Sequence, residues 1–281
     1  MCENCGCGEE GNSYKIYKPG DKIVDSEIAL SHIHTHSESE HSHPHSHHEH
    51  EHNHDHGDHF HNHSHSNEKQ IIEVGKEILE SNNIVAERNR GYFEAKTILA
   101  LNLVSSPGSG KTSLLEKTIT GLKDKRKCVV IEGDQQTDND ARRIALTGVG
   151  VLQINTGNAC HLDANMIHDA LHQLKPVEGS VVFIENVGNL VCPALFDLGE
   201  KHRIVIFSVT EGEDKPLKYP NMFHTSDVCI INKIDLLPYL DFNLELAKQN
   251  IKKINPLAKI IELSVKSGEG IPEWLDWVSK N

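Results

Sequence analysis

Length, composition and charge limit the classes to which this chain can belong. Its 281 residues carry a formal net charge of −13, and residues 1–67 contribute −9 of it, from 3 Lys/Arg against 12 Asp/Glu. We expect no nucleic-acid partner because no basic face is apparent, and no membrane insertion because no apolar run approaches the roughly 20 residues that span a bilayer. The N-terminus lacks the basic and apolar stretches of a secretory signal. Seven cysteines, an odd number, disfavour a disulfide framework, so we expect a reduced, cytoplasmic protein.

The first segment carries a compact set of thiols. Residues 1–31 open with "MCENCGC", which places Cys2, Cys5 and Cys7 within six residues of one another. Three thiolates this close can hold one ion: Ni²⁺ takes N and S donors in a square plane, and Zn²⁺ takes sulfur ligands in a tetrahedron. If Met1 is removed, the Cys2 amine adds a nitrogen donor. We expect one nickel or zinc site here.

A histidine-rich tract follows the thiols. Residues 32–65 hold 16 of the 21 histidines, interspersed with Ser, Glu, Asp and Asn. A segment of this composition buries too little apolar area to offset the entropy of ordering, which predicts disorder without metal. At roughly four ligands per ion, the tract would buffer on the order of three to five divalent ions. We therefore divide the chain into residues 1–31, a tract over 32–66 and a domain over 67–281.

Within that domain, short apolar runs alternate with amphipathic segments. Helical patterns of roughly ten to fifteen residues lie between most of the apolar runs, as in a parallel sheet with helices on both faces. The predicted fold class is therefore α/β, with a mostly parallel sheet whose ligands bind beyond the carboxyl ends of the strands. The predicted strands cover 98–104, 128–134, 151–155, 181–185, 203–209, 227–232 and 258–264.

A glycine-rich loop joins the first of these strands to a predicted helix. Its sequence, "SSPGSGKTS", presents backbone N–H groups at the positive end of a helix, where phosphate oxygens bind. Lys111 would reach the β- and γ-phosphates, and the Thr112 hydroxyl would bind Mg²⁺. Ser105 stands where the pattern usually has its first glycine. The predicted phosphate-binding residues are Pro107, Gly108, Ser109, Gly110, Lys111, Thr112 and Ser113.

A second motif, "INKID", ends a later strand and points to the base. The Asp235 carboxylate can accept both the ring N–H and the exocyclic amine of guanine, a pair of donors that adenine lacks. Asn232 and Lys233 lie beside it, and the Lys233 stem can pack along the base. Ser264 and Lys266, in "SVKSGEG", follow the next strand and can close over the base. The order of the motifs predicts a P-loop GTPase that binds GTP rather than ATP.

Acidic residues close two more of the predicted strands. Asp134 and Glu185 are candidates to bind Mg²⁺ with Thr112, directly or through water. Asp138 is a candidate to position water or metal. No residue declares itself as the general base or arginine finger, although Arg142 or Arg143 could serve, so we expect slow intrinsic hydrolysis. The predicted catalytic residues are Lys111, Asp134, Asp138 and Glu185.

Two cysteines and a histidine form the third candidate metal site. Cys160 and His161 follow a strand, at the predicted start of a helix over 161–174, and Cys192 comes seven residues after Glu185. Cys192 precedes a proline, which predicts an extended backbone. Each cysteine alone would suit a buried apolar position. Beside the other metal-binding features, the three residues predict a nickel or zinc site.

The remaining cysteines and histidines of the domain receive no chemical role. Cys128 and Cys229 lie within apolar strands and are predicted to be structural. His168 and His172 share a helical face with His161 and are assigned to a solvated surface.

These segments together resemble the hydrogenase nickel incorporation GTPases, the HypB family among the metal-insertion P-loop GTPases. The resemblance covers the whole chain, and Ser105 is that family's own usage at its position. It implies GTP hydrolysis coupled to nickel delivery into the large-subunit precursor of a [NiFe] hydrogenase. The segments that carry it are "CENCGC", the histidine tract, "VSSPGSGKTSLL", "EGDQQTDNDARRI", "NTGNACHLDA", "ENVGNLVCP", "NKIDLLP" and "SVKSGEG".

The resemblance also implies partners and sites. A homodimer promoted by GTP and metal would carry Cys160, His161 and Cys192 near its interface, and a small zinc-containing maturation protein would be a partner. The cysteines of "CENCGC" would form a separate, tighter nickel site.

Two other functions remain open. The chain could be a nickel store or buffer with the nucleotide domain as a passenger, or it could serve urease or another metalloenzyme. We favour delivery, in which the γ-phosphate and Mg²⁺ hold the loop after Glu185 and hydrolysis releases it, moving Cys192. A tenfold change in metal affinity needs only about 1.4 kcal/mol of such coupling.

Overall fold

The computed structural model describes residues 14–21, 66–135 and 137–281, with side chains in the first helix from residue 75 onward. The predictions for the N-terminal cysteines and for the histidine tract lie outside these residues. Within them, the strands are β1 (Lys15–Tyr17), β2 (Leu99–Ser105), β3 (Cys128–Asp134), β4 (Gly150–Asn155), β5 (Val181–Glu185), β6 (His202–Ser208), β7 (Val228–Asn232) and β8 (Lys259–Glu262). The helices are α1 (Ser66–Ala95), α2 (Lys111–Leu122), α3 (Asn139–Ala145), α4 (Ala164–Leu174), α5 (Lys215–Lys218), α6 (Pro220–His224), α7 (Leu244–Ile254) and α8 (Ile271–Lys280), with 3-10 turns at Cys192–Ala194 and Ile234–Tyr239.

The described strands form one sheet in the order β1-β4-β3-β5-β2-β6-β7-β8. β1 runs antiparallel to β4, and every other described pair is parallel. The α/β class with a mostly parallel sheet is thus confirmed. Within the described residues, no helix is long and apolar enough to cross a membrane.

Helices cover both faces of the sheet because both faces are apolar. All seven residues of β2 are buried, and alternate side chains of a strand point to opposite faces. Leu101 and Leu103 meet α2, α3 and α8, where Trp274 is fully buried. Ala100 lies on the opposite face with residues of α1 and α4, and Val104 lies there with residues of α6 and α7. The carboxyl ends of β2, β3, β5 and β7 therefore meet at one edge of a rigid core.

The seven strands expected from the apolar runs are all present; two have the predicted ends, and the ends of the others differ by at most two residues. β1 was not expected, because three residues are too short to show a periodic pattern. Its register pairs Ile16 with Ile154, and the Tyr14 hydroxyl just before it donates to Asp169 Oδ2 at 2.5 Å. The first helix begins at Ser66, one residue before the domain boundary that we placed at Asn67.

Two local predictions were wrong. The helix expected over 161–174 begins at Ala164, because Asp163 caps it by accepting the Met166 N–H at 2.9 Å. Cys192 was expected to be extended but begins a 3-10 turn, in which its carbonyl accepts the Leu195 N–H at 3.0 Å. The hydrogen bond of this turn outweighs the preference of a residue before proline.

Candidate functional site

The glycine-rich loop lies between β2 and α2, and two left-handed residues shape it. Gly108 and Gly110 have φ of 75° and 95°, a region that L side chains rarely adopt. A Cβ on Gly110 would come within 2.5 Å of Asn232 Nδ2, so space as well as conformation requires glycine there. Lys111 then opens α2. A glycine-rich loop that leads into a helix N-terminus has the geometry that a phosphate site requires.

The Lys111 ammonium is already directed at the end of β5. Its Nζ donates to the Asn186 carbonyl at 2.5 Å and lies 3.5 Å from Glu185 Oε1. The loop after β5 also packs against the phosphate loop, since a Cβ on Gly188 would lie 3.2 Å from Pro107 Cγ. The phosphate loop and the loop after Glu185 therefore touch at a charged contact.

The predicted base-binding residues come together beside the phosphate loop. Asn232, the last residue of β7, donates to the Ser109 carbonyl at 2.8 Å. Lys233 donates to the Gly108 carbonyl at 2.6 Å and has a φ of 64°. Asp235 Oδ1 accepts the Ser264 hydroxyl at 2.6 Å. These contacts hold the Asp235 carboxylate near the phosphate loop.

The two remaining polar residues of this region lie further out. Lys266 is exposed in the loop that Ser264 begins. The Ser113 hydroxyl accepts from the Arg143 guanidinium at 3.2 Å. Both positions are compatible with their predicted roles, which stay predictions.

An acidic cluster lies under the phosphate loop, and only one of its members was expected. Carboxylate oxygens of Glu132, Asp140 and Glu185 lie within 4.8 Å of one another. Glu185 is fully buried, and its Oε1 accepts the Thr112 hydroxyl at 2.7 Å. Burial and the neighbouring Glu185 raise the pKa of Glu132 well above its usual value. Within the described residues, Glu185 Oε2 and Glu132 Oε2 have no hydrogen-bond partner.

This cluster fits the predicted Mg²⁺. A hard divalent cation is bound by carboxylate and hydroxyl oxygens, and it would satisfy the two orphaned oxygens and the repulsion between buried acids. Thr112 and Glu185 were expected in this role. The register could have revealed Glu132, because β3 and β5 are neighbours and Glu132 pairs directly with Glu185.

The other predicted acids have different contacts. The Asp134 carboxylate accepts the Thr137 hydroxyl at 3.1 Å, and Asp138 pairs with Arg142 at 2.7 Å. Neither belongs to the acidic cluster that the described residues form. Arg143, which was also considered as an arginine finger, forms ion pairs with Glu116 and Asp140 at 2.7 and 3.0 Å.

The structure brings Cys160, His161 and Cys192 together as predicted. The two sulfurs are 2.7 Å apart, and neither cysteine is in a disulfide. His161 Nδ1 lies 3.9 Å from the Cys160 sulfur, and the imidazole stacks on Phe196 with ring centroids 3.9 Å apart. Burial lowers the pKa of His161 to about 4, so the ring is neutral at pH 7 and offers a lone pair. Two thiols and a neutral imidazole suit nickel or zinc.

Asn186 connects the two sites, and sequence reasoning did not single it out. Its carbonyl receives Lys111, and its side-chain Oδ1 accepts the N–H of Leu162, next to His161, at 3.1 Å. Three residues on, Asn189 donates to the Cys160 carbonyl at 3.3 Å. The loop that begins after Glu185 is therefore bonded to both the nucleotide site and the thiol site.

A buried ion pair fixes the far side of the thiol site. Glu200 and Arg203 lie 2.9 Å apart, and both are buried. The Arg203 guanidinium donates to the carbonyls of Ala194 and Phe196 at 3.3 and 2.9 Å. The pair therefore fixes the backbone that follows Cys192, including Phe196, whose ring stacks on His161.

Comparisons with known proteins identify the family of this chain. Residues 99–262 match the family model described as CobW/HypB/UreG, nucleotide-binding domain. The hydrogenase maturation factor HypB of Azotobacter chroococcum mcd 1 is 55% identical over 214 residues, which is 76% of this chain and 70% of that protein.

Two crystal structures of relatives share the fold. HypB from Archaeoglobus fulgidus superposes with a TM-score of 0.68 at 40% identity, covering 72% of this chain and 98% of that one. HypB from Helicobacter pylori, solved in complex with nickel, superposes with a TM-score of 0.67 at 41% identity, covering 71% of this chain and 94% of that one. The chain therefore belongs to the CobW/HypB/UreG family and, within it, to the HypB proteins.

Proposed function

We propose that this protein is a GTP-hydrolysing nickel metallochaperone that stores nickel and delivers it to the large-subunit precursor of a [NiFe] hydrogenase. Nickel is the cargo, and GTP with Mg²⁺ controls its release. One observation carries the proposal: the loop after Glu185 bonds to Lys111 at one end and reaches Cys160 and Cys192 at the other.

The nucleotide chemistry follows from the placement of the binding groups. Asp235 selects guanine, and Lys111 with the backbone N–H groups of the loop neutralises phosphate charge. Thr112, Glu185 and the neighbouring acids would hold Mg²⁺, which supplies charge neutralisation at the β- and γ-phosphates when bound. Asp134 and Asp138 are proposed to position water or metal once nucleotide is bound. Within the described residues, Arg142 and Arg143 are paired with acids, in keeping with slow intrinsic turnover.

The coupling between nucleotide and nickel follows from Lys111. Bound phosphate competes with the Asn186 carbonyl for the ammonium, because a charged oxygen is the better acceptor. The Asn186 side chain holds the backbone beside His161, so a change in the loop reaches the thiols. Hydrolysis releases the loop, and the affinity of Cys160 and Cys192 for nickel falls.

The proposal assigns a role to each part of the chain. Residues 1–31 provide the tight Cys2, Cys5 and Cys7 site, residues 32–66 buffer nickel or zinc, and residues 67–281 form the GTPase. Val191 and Leu195, on either side of Cys192, are half-exposed apolar side chains. They suit a homodimer promoted by GTP and metal, with a small zinc-containing maturation protein as a further partner.

Reconstituted maturation tests the proposal. Purified protein loaded with ⁶³Ni is mixed with hydrogenase large-subunit precursor and the small zinc-containing partner, with GTP or a non-hydrolysable analogue. Delivery predicts transfer of the label with GTP only, and no transfer from a Cys160→Ser/Cys192→Ser variant. Equal transfer with GTP, with the analogue and without nucleotide would indicate a passive store.

A further inference from the structure

A pair of histidines on α4 has a geometry that a solvated surface does not require. His168 and His172 are one helical turn apart, and their Nε2 atoms are 3.1 Å from each other. The rings are nearly perpendicular, with centroids 4.6 Å apart. His172 is exposed and His168 is half-buried. Two imidazole nitrogens thus converge on one point that solvent can reach.

A buried asparagine determines which nitrogen of His168 is available. The Asn89 amide nitrogen donates to the carbonyls of Ala164 and Leu198, at 2.9 and 3.2 Å. Its oxygen therefore faces His168 Nδ1, at 3.2 Å. Because that oxygen can only accept, His168 Nδ1 carries the proton and Nε2 is left with a lone pair directed at His172. Asn89 is fully buried, so this orientation is fixed.

A histidine that donates its other ring N–H to a fixed acceptor is the usual arrangement of a metal ligand. Two nitrogens 3.1 Å apart can both lie about 2.1 Å from one ion at an angle of about 95°, between the square-planar and tetrahedral values. Histidines four residues apart on a helix are a known way to bind zinc. Without metal, one imidazole N–H must donate to the other ring.

We propose that His168 and His172 form a further, solvent-open binding site for a borderline divalent cation, Ni²⁺ or Zn²⁺. The site has two protein ligands and water at the remaining positions. Within the described residues, His168 and His172 are not among the ligand atoms that lie within 4.8 Å of one another at Cys160, His161 and Cys192, so the two sites are separate. The inference goes beyond the proposed function and does not depend on GTP.

Histidine footprinting of the full chain tests this site directly. Diethyl pyrocarbonate acylates imidazole nitrogens that carry a free lone pair, and mass spectrometry locates the modified residues. With excess Zn²⁺ or Ni²⁺, we expect acylation of His168 to slow at least tenfold. The exposed His224 serves as the internal control in the same sample, and its rate should not change.

Two variants separate a real pair from general shielding. In His172→Ala, each histidine is compared with and without metal, and the metal should no longer protect His168. In a full-length chain whose 16 tract histidines are replaced by asparagine, protection of His168 should persist. The proposal would be overturned if metal did not protect His168 in the wild type, or if the protection were unchanged in His172→Ala. It would also be overturned if the protection disappeared when the tract histidines are replaced.

Discussion

At the residue scale, the proposed selection of guanine depends on the Asp235 side chain. Its Oδ1 accepts from Ser264, which holds the carboxylate in place to receive the two donors of guanine. Asp235→Asn removes the charged acceptor, and GTP binding should weaken by about 3 kcal/mol, roughly a hundredfold. An asparagine amide can donate to the second carbonyl of xanthine, so XTP should bind more tightly than GTP. Competition titrations with a fluorescent nucleotide measure both affinities.

Asp241→Asn provides the matched control for this change. Asp241 is an exposed acid just beyond the 3-10 turn that contains Asp235. The Asp241→Asn substitution should leave the ratio of GTP to XTP affinity unchanged. An Asp235→Asn variant that still prefers GTP by a hundredfold would contradict the assignment of the base site.

The strand cysteines should be chemically silent. Burial raises the pKa of Cys128 to about 11 and that of Cys229 to about 12. Since the thiolate is the nucleophile, neither should react at pH 8 while the protein is folded. Timed alkylation with iodoacetamide, followed by peptide mass spectrometry, should label Cys160 at least tenfold faster than either. Comparable labelling of all three would show that the sheet opens readily.

The sequence revealed those site residues that can be recognised from the residues around them, and not those whose role depends on distant segments. Cys160, His161 and Cys192 were found because cysteine and histidine are rare donors near strand ends. Glu132 was missed because it lies inside an apolar strand, and only the register shows that it faces Glu185. Asn186 was missed because its importance lies in two hydrogen bonds to distant segments.

At the element scale, the loop after β5 is the proposed connection between the nucleotide site and the metal site. Asn186→Ala leaves the Leu162 N–H without its acceptor and frees the backbone beside His161. The ratio of nickel affinities with a GTP analogue and with GDP should fall from at least tenfold towards one. Equilibrium dialysis with ⁶³Ni gives both affinities.

The Asn186→Ala substitution will also lower the free energy of unfolding, so a control variant with a similar loss is needed. Asn250 is also buried and donates to the Glu213 carbonyl at 2.9 Å, far along the chain from both sites. Each substitution leaves a buried group unpaired, at about 1–3 kcal/mol. Asn250→Ala should keep the nucleotide effect on nickel. An effect retained in Asn186→Ala would contradict coupling through this loop.

The contact between α1 and the segment before β6 allows a second element-scale test. Gly199 has a φ of 84°, and a Cβ there would lie 2.4 Å from the Ala86 carbonyl oxygen. Gly179 has a φ of 70° with nothing within 4 Å of such a Cβ. Both alanine variants bear a backbone cost of about 1–2 kcal/mol. Gly199→Ala must also displace α1, so its free energy of unfolding should be lower by about 2 kcal/mol more.

Urea denaturation gives this comparison, provided that the slope with denaturant is unchanged. Equal losses in the two variants would mean that α1 is not packed on this segment as described.

The elements themselves were largely predictable from the sequence. Seven strands follow from apolar runs because a parallel sheet buries both of their faces. β1 could not be predicted, since it depends on pairing with β4, which is remote in sequence. The 3-10 turn at Cys192–Ala194 could not be predicted either, since it depends on hydrogen bonds that leave no pattern in the sequence. Arg203 donates to the Ala194 carbonyl, and the sequence around Cys192 contains no pattern that predicts this hydrogen bond.

At the scale of the whole molecule, one sheet edge carries both sites. The parallel order of β2, β5 and β3 brings the phosphate loop, Glu185 and the acidic cluster to the same end. Cys160 and Cys192 follow β4 and β5 at that end, so the proposed nickel and nucleotide sites share the loop after β5. This proximity is the physical basis for the claim that GTP controls nickel.

The most direct test is nickel binding by the full chain in which Cys2, Cys5 and Cys7 are replaced by serine. Thiolate-to-nickel charge transfer then reports only on the thiols of the domain, because the histidine tract offers no sulfur. A Cys160→Ser/Cys192→Ser version should lose the absorption band. We expect the band to form at a free nickel concentration at least tenfold lower with a GTP analogue than with GDP, a difference of at least about 1.4 kcal/mol. Superimposable titrations in the two nucleotide states would contradict it.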